Sequence, residues 1–251
     1  MDRIAGTLRA EQASELVRDA ALRPVEGRYK FFLLQEFHNA NDAFANKLLK
    51  TLEEPPDHVI LCLTALDRHS LLPTIVSRCQ MLELRPLDPV TIAQALRQQW
   101  QASEDQADLL ARLANGRLGW AVEQLEDPAG RQERIERLQT LWRLMAANRI
   151  ERLAFAEQLA ASRNNQQLFG LLETWTTWWR DLLLAQLSSL ELCSNIDQLA
   201  EIERQGAQIQ QADLQGYLHL QQRVESYLHH TVNTRLALDV LLLQLPSVRT
   251  S

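Results

Sequence analysis

The sequence predicts an α/β fold followed by an all-α one, mostly helical overall. Three observations carry this prediction. Two short runs, Lys30–Leu34 and Val59–Leu63, are rich in aliphatic and aromatic residues along nearly their whole length, as strands buried on both faces are. A segment of helical period separates them, which argues for a parallel sheet. After Pro86 the apolar residues recur only at helical spacing. The domains expected are an α/β core over 1–85, a small three-helix unit over 86–127 and a C-terminal helical domain over 128–251.

Residues 8–22 read as a helix, because Leu8, Ala13, Leu16, Val17, Ala20 and Ala21 fall near helical spacing, and Pro24 closes it. Asn41 or Asp42 can cap the next helix by accepting a backbone N–H bond. That helix carries Phe44, Leu48, Leu49 and Leu52 and ends at Pro55-Pro56. Residues 71–77 are predicted to be a short helix, and Met81 to Leu84 a third strand. Asp88-Pro89 opens a helix running to about Gln101, with the proline at a tolerated first-turn position. Ser103 precedes another, which Gly116 ends, and Leu118 to Leu125 make a third. Asp127-Pro128-Ala129-Gly130 is the clearest turn signal in the chain and predicts a domain boundary. Helices are expected thereafter at about 131–146, 150–162, 165–189, 195–210, 212–229 and 233–244. There is no internal repeat and no long low-complexity tract.

Composition narrows the function classes. Hydrophobic residues make up 46% and charged residues 23%, ordinary for a globular chain. A net charge of −6 argues against nucleic-acid binding by general attraction, but leaves room for a local basic surface. Cys62, Cys79 and Cys193 are odd in number and far apart, so neither a zinc site nor a disulfide framework is indicated, and a reducing compartment fits. His229-His230 has no third ligand nearby, and no metal is expected. No apolar run reaches the length of a membrane span, and no signal-peptide apolar region follows Met1. A cytoplasmic protein without a membrane partner is the expectation. In the C-terminal half, Leu168, Leu172, Trp175, Trp179 and Leu182-Leu183 form an apolar stripe, with Trp178 beside it. Such a stripe is either core or, given its tryptophans, a helix–helix interface. The last helix, with Leu236, Leu238 and Leu242, is apolar on more than one side, which predicts more than one neighbour.

One pair of segments carries more than fold information. Asn46-Lys-Leu-Leu-Lys-Thr-Leu-Glu-Glu-Pro-Pro56 is followed, one short strand later, by Leu71-Leu-Pro-Thr-Ile-Val-Ser-Arg-Cys79. Together they resemble the core of bacterial DNA polymerase clamp-loader subunits, which belong to the AAA+ ATPases. The resemblance implies that the first domain is a truncated, partial AAA+ parallel-sheet core, the three-helix unit its lid, and the C-terminal helices the collar that joins five subunits into a ring. Trp175, Trp179, Leu236, Leu238 and Leu242 then become candidate collar-interface residues. The implied partners are loader subunits of the gamma/tau and delta types, with the sliding clamp and primed DNA reached through the complex.

Against that family the chain looks unable to hydrolyse ATP. In the stretch Phe31-Phe-Leu-Leu-Gln-Glu36, Gln35 stands where an active member has the aspartate that helps hold magnesium, and a neutral amide is a poor substitute for it. Glu36 remains, but a lone glutamate at a strand end is ordinarily solvated. No glycine in the chain is followed by lysine, so the phosphate-cradling G-x-x-x-x-G-K-[ST] loop does not occur. The expectation is that this chain binds no cofactor, and that ATP and Mg sit at the neighbouring subunit. The usual N-terminal section, with a P-loop-like region and in many members a zinc module, is also missing, which predicts a truncated product or a start placed inside a longer frame.

The remaining candidates follow residue by residue. Ser77-Arg78-Cys79 matches the family's arginine-finger motif, which implies that Arg78 reaches the γ-phosphate held by a neighbour. Read without the family, Arg78 would pair with a local carboxylate such as Glu83. Thr64 lies near the sensor 1 position, where a structural strand-end role is expected in the absence of nucleotide. In Gly116-Arg117-Leu118-Gly119-Trp120-Ala121, Gly119 takes the place of the sensing arginine, so the segment reads as a helix start. Lys47 and Lys50, three apart on a helix, could contact DNA phosphates or form a solvated face. Two other functions remain open: an active loader ATPase with a misassigned start, and a free-standing helical interaction protein derived from a loader subunit.

Overall fold

The computed structural model describes residues 10–162, 164–228 and 233–248. They divide into two compact units, with the boundary between Leu84 and Arg85.

In the first unit, α1 (Ala10–Ala21) precedes β1 (Lys30–Leu34), α2 (Asp42–Glu53), β2 (Val59–Leu63) and α3 (Pro73–Val76). The strands pair in parallel, from Lys30 opposite Val59 to Leu34 opposite Leu63. Asn41 is the cap of α2: its Oδ1 accepts the Phe44 N–H at 2.7 Å. Phe44, Ala45, Leu48 and Leu52 then face one way and pack with Ala13, Leu34, Phe37 and Ile75 into a single core. Phe37 and Phe44 meet edge to face, 5.9 Å between ring centres. That core covers one side of the sheet; on the other, Phe31, Leu33 and Ile60 are exposed.

The third strand expected at Met81 to Leu84 does not form. The sheet of the described residues has two strands, and Leu82 and Leu84 are 82% and 85% exposed. An apolar run becomes a strand only where a neighbouring backbone accepts its hydrogen bonds, and none does here.

The second unit is helical. α4 (Pro89–Trp100), α5 (Glu104–Leu113) and α6 (Leu118–Glu126) share a core built on Ile92, Leu96, Leu110 and Ala121. Gly116 has φ 83°, and a Cβ there would lie 2.3 Å from that of Pro86, so the turn between α5 and α6 requires glycine. α7 (Pro128–Ala146) absorbs the predicted turn. Asp127 accepts the Ala129 N–H at 2.9 Å and caps a helix whose first residue is Pro128. The same residue types serve turns and helix starts, and the apolar period downstream decides between them.

α8 (Arg149–Ala161), α9 (Asn165–Gln186), α10 (Leu199–Gly206), α11 (Gln211–Leu228) and α12 (Thr234–Leu243) complete the unit. α8 opens with a reciprocal cap between Asn148 and Glu151. α9 stops at Gln186, three residues before its predicted end: Ser188 turns left-handed at φ 56°, and the Ser189 N–H returns to the Leu184 carbonyl at 2.9 Å.

Two buried charges tie this unit together. The Arg152 side chain, 4% exposed, donates to the carbonyls of Leu144, Met145, Leu242 and Leu245 and to Ser247 Oγ. It thereby caps the carboxyl ends of α7 and α12 at once, where helix dipoles favour a cation. Asp181, fully buried on α9, accepts from the Ser194 N–H at 3.0 Å, and from the Asn195 N–H and Nδ2 at 2.7 Å each. This pins the loop before α10 and shortens the predicted helix at 195–210 to a single 3-10 turn (Ile196–Gln198) followed by α10. Arg134 grips the same loop through Asn195 Oδ1 at 2.8 Å and both Asp197 oxygens at 2.7 and 2.9 Å. Burial alone would raise the Asp197 carboxyl, but the hydrogen bonds and charge of Arg134 outweigh it and hold it below the usual range. Cys193, beside this network, is buried, and burial pushes its thiol up to about 11, so it is an inert core group.

Candidate functional site

The carboxyl ends of β1 and β2 lie side by side. The Thr64 N–H donates to the Leu34 carbonyl at 3.0 Å, and its hydroxyl accepts the Glu36 N–H at 3.0 Å. Phe37 N–H then donates to the Thr64 carbonyl at 2.8 Å. Thr64 therefore ties the end of one strand to the turn after the other. Glu36 adopts a left-handed backbone, φ 53° and ψ 44°, and its Oε2 accepts from Asn39 Nδ2 at 3.2 Å. Gln35 and Glu36 are both exposed. One carboxylate and one amide do not fit a magnesium site, which needs several hard oxygen ligands. Among the described residues no group of three or more His, Cys, Asp or Glu could hold a metal.

The second part of the site is α3 and the residue after its cap. Pro73 starts the helix and Ser77 ends it, with the Ser77 hydroxyl on the Thr74 carbonyl at 3.2 Å. Ile75, 1% exposed, anchors α3 in the core of the first unit. Cys79 packs half-buried against that core, and burial raises its thiol. Arg78 faces outward. Its Nε donates to Glu53 Oε1 at 2.6 Å, and its Nη2 bonds the same oxygen. Nη1 donates to the Thr74 carbonyl at 2.9 Å and to Ser77 Oγ at 3.2 Å. The carboxylate partner is thus Glu53, in the last turn of α2, rather than Glu83. The side chains of the pair are 30% and 46% exposed, and such a pair contributes only about 0–1 kcal/mol to stability. Nothing in the sequence marks Glu53 as the partner, because the two residues are 25 apart and meet only through the packing of α2 on α3.

Lys47 and Lys50 are both exposed on α2, and Lys47 Nζ donates to Ser14 Oγ of α1 at 2.7 Å. Of the 26 basic residues only three are lysine, and all three lie in the first unit.

In the second unit, Arg117 begins α6: it donates to the Ala114 carbonyl at 3.1 Å, pairs with Glu173 and lies 5.9 Å from the Trp120 ring centre. Gly119 has open space around it. The segment is the helix start that the sequence predicts. Trp175, Trp179, Leu238 and Leu242, candidates for an interface, are at most 1% exposed and pack in the chain's own core. They are core residues and present no surface to a partner; the unit has enough helices of its own to bury them. Leu236 alone of the five is exposed, at 62%. His229 and His230 lie outside the described residues. No described helix is long and apolar enough to cross a membrane.

The family match falls almost wholly in the first unit. Residues 3–88 match the family described as DNA polymerase III, delta subunit. The DNA polymerase III subunit tau/gamma of Haemophilus influenzae is 40% identical over 92 residues, 37% of this chain and 13% of that protein. The subunit tau of Escherichia coli is 38% identical over 119 residues, 45% of this chain and 18% of that protein. The matches thus span less than a fifth of the length of these relatives. Among solved structures, a DNA polymerase III gamma subunit-related protein from Thermotoga maritima aligns over 97% of this chain and 80% of its own, at 18% identity and a TM-score of 0.44. The segment that holds Glu36, Glu53, Thr64 and Arg78 therefore lies within the match to the DNA polymerase III delta-subunit family, and the chain is also similar to tau and gamma subunits over part of its length.

Proposed function

We propose that the chain is a non-hydrolysing subunit, of the delta prime type, in a bacterial DNA polymerase III clamp loader. It completes the pentameric loader that places the sliding clamp on primed DNA, and it donates Arg78 in trans to ATP held by a neighbouring subunit. The observation that carries this reading is the placement of Arg78. It follows a short helix anchored by Ile75, and its guanidinium lies at the surface inside the segment that matches the DNA polymerase III delta-subunit family. A planar, permanently charged group so placed can stabilise charge on a transferring phosphoryl group without any phosphate cradle of its own. Gln35, a neutral amide where a magnesium-holding carboxylate would stand, supports a role without hydrolysis in cis, with ATP and Mg supplied by the partner. The partners are then gamma/tau-type and delta-type subunits. The test pairs two measurements. The isolated chain is expected to show no magnesium-dependent ATP hydrolysis, and Arg78→Ala is expected to depress turnover by the reconstituted loader. Turnover by the isolated chain, or an unaffected complex, would refute the reading.

Lys47 and Lys50 fit a second part of the same role, contact with the phosphates of DNA held by the complex. Phosphate contacts release counterions, so each one lost lowers the salt slope of binding by about 0.7–0.9. Replacing both lysines by alanine is expected to weaken the loader's DNA binding at low salt and to flatten its salt dependence, as measured by fluorescence anisotropy. An unchanged slope would assign both residues to a solvated helix face.

A further inference from the structure

We infer that Glu53 holds Arg78 in reserve on its own subunit and yields it when a neighbour presents nucleotide; this rests on the arginine-finger reading. Two of the three guanidinium nitrogens, Nε and Nη2, converge on a single oxygen, Glu53 Oε1. That edge of the guanidinium is one of those with which arginine grips a phosphoryl group. A carboxylate and a phosphoryl oxygen compete for the same N–H groups, so full engagement of a neighbour's phosphate requires Arg78 to leave Glu53. The third nitrogen, Nη1, stays on the Thr74 carbonyl and Ser77 Oγ, both within or next to α3. These contacts can persist and steer the side chain while the fork is free.

The framework allows this exchange without repacking. Leu48 and Leu52 of α2 and Ile75 of α3 share one core cluster, which fixes the distance between the two backbones. The link itself is made by side chains alone, 30% and 46% exposed. Glu53 is therefore a positioning residue: it touches no nucleotide, and it sets how often Arg78 is available.

Three measurements test this, on the full chain and on the reconstituted loader. In the loader without DNA, Glu53→Gln is expected to raise ATP turnover roughly two- to fivefold, the reciprocal of the fraction of time that Arg78 is released. Arg78→Ala, assayed in parallel, is expected to lower it. In the isolated chain, the Arg78 Nε–H resonance is expected to be protected from exchange with water and to lose that protection in Glu53→Gln, a change that a merely structural substitution would not localise to this group. If Arg78→Ala lowers turnover while Glu53→Gln leaves it unchanged or lowers it, the reserve role is overturned and the finger stands. If Arg78→Ala has no effect, the finger reading fails and the inference falls with it. Equal exchange of the Nε–H in both proteins would show that the pair does not persist, and would also overturn the inference.

Discussion

On the proposed arginine-finger reading, Arg78→Ala is expected to slow ATP hydrolysis at the neighbouring subunit by roughly 1,000-fold or more, the scale on which arginine fingers act. At about 1.4 kcal/mol per factor of ten, this is about 4 kcal/mol of transition-state stabilisation. The cost to the fold is far smaller. Arg78 is part-exposed, and its pair with Glu53 is a surface one worth about 0–1 kcal/mol. Rate and stability should therefore separate: turnover collapses while the melting temperature of the chain moves little. Arg78→Lys sharpens the reading, because it keeps the charge but loses the planar fork. It should fall between wild type and alanine. Single-turnover hydrolysis at the adjacent site reads the full loss, and steady-state turnover of the whole complex, to which its other ATP sites also contribute, a smaller but still measurable fall. A loss matched by an equal fall in stability would point to misfolding instead.

The elements that could be read from the sequence are those whose signals are local. β1 and β2 begin and end where their apolar runs do, and the cap of α2 is Asn41, one of the two residues predicted. Where the outcome depended on a distant partner, the sequence was ambiguous. Met81 to Leu84 has the composition of a strand but no backbone to pair with. Trp175 and Trp179 have the spacing of both a core stripe and an interface; α7, α10 and α11, packed around α9, make them core. Asp127-Pro128-Ala129-Gly130 serves a helix start as well as a turn, since capping and turning use the same side-chain oxygen. In the site, Arg78 stands out by its neighbours in sequence as a candidate, whereas its partner Glu53 is defined only by the meeting of two helices.

Asp181→Ala should be the most damaging single change to the helical unit. The carboxylate is fully buried and serves three donors: the Ser194 N–H, the Asn195 N–H and Asn195 Nδ2. Removing it leaves all three without an acceptor, at about 1–3 kcal/mol each. Water entering the space would recover part of that, so a net loss of about 3–5 kcal/mol is expected, a large fraction of the about 5–15 kcal/mol that holds a typical domain together. Asp181→Asn keeps the shape and one acceptor but turns an amide donor toward another donor, so it should cost less and still be measurable. Arg134 holds the same loop through Asn195 Oδ1 and Asp197, and Arg180 reaches Ser194 Oγ at 3.1 Å. Residues that share a loop couple, so Asp181→Ala and Arg134→Ala together should cost less than the sum of the two alone. Urea unfolding of the four proteins in this cycle measures the coupling. A loss below about 1 kcal/mol for Asp181→Ala would mean that the loop finds other partners, and that the arginines rather than the buried aspartate fix its path.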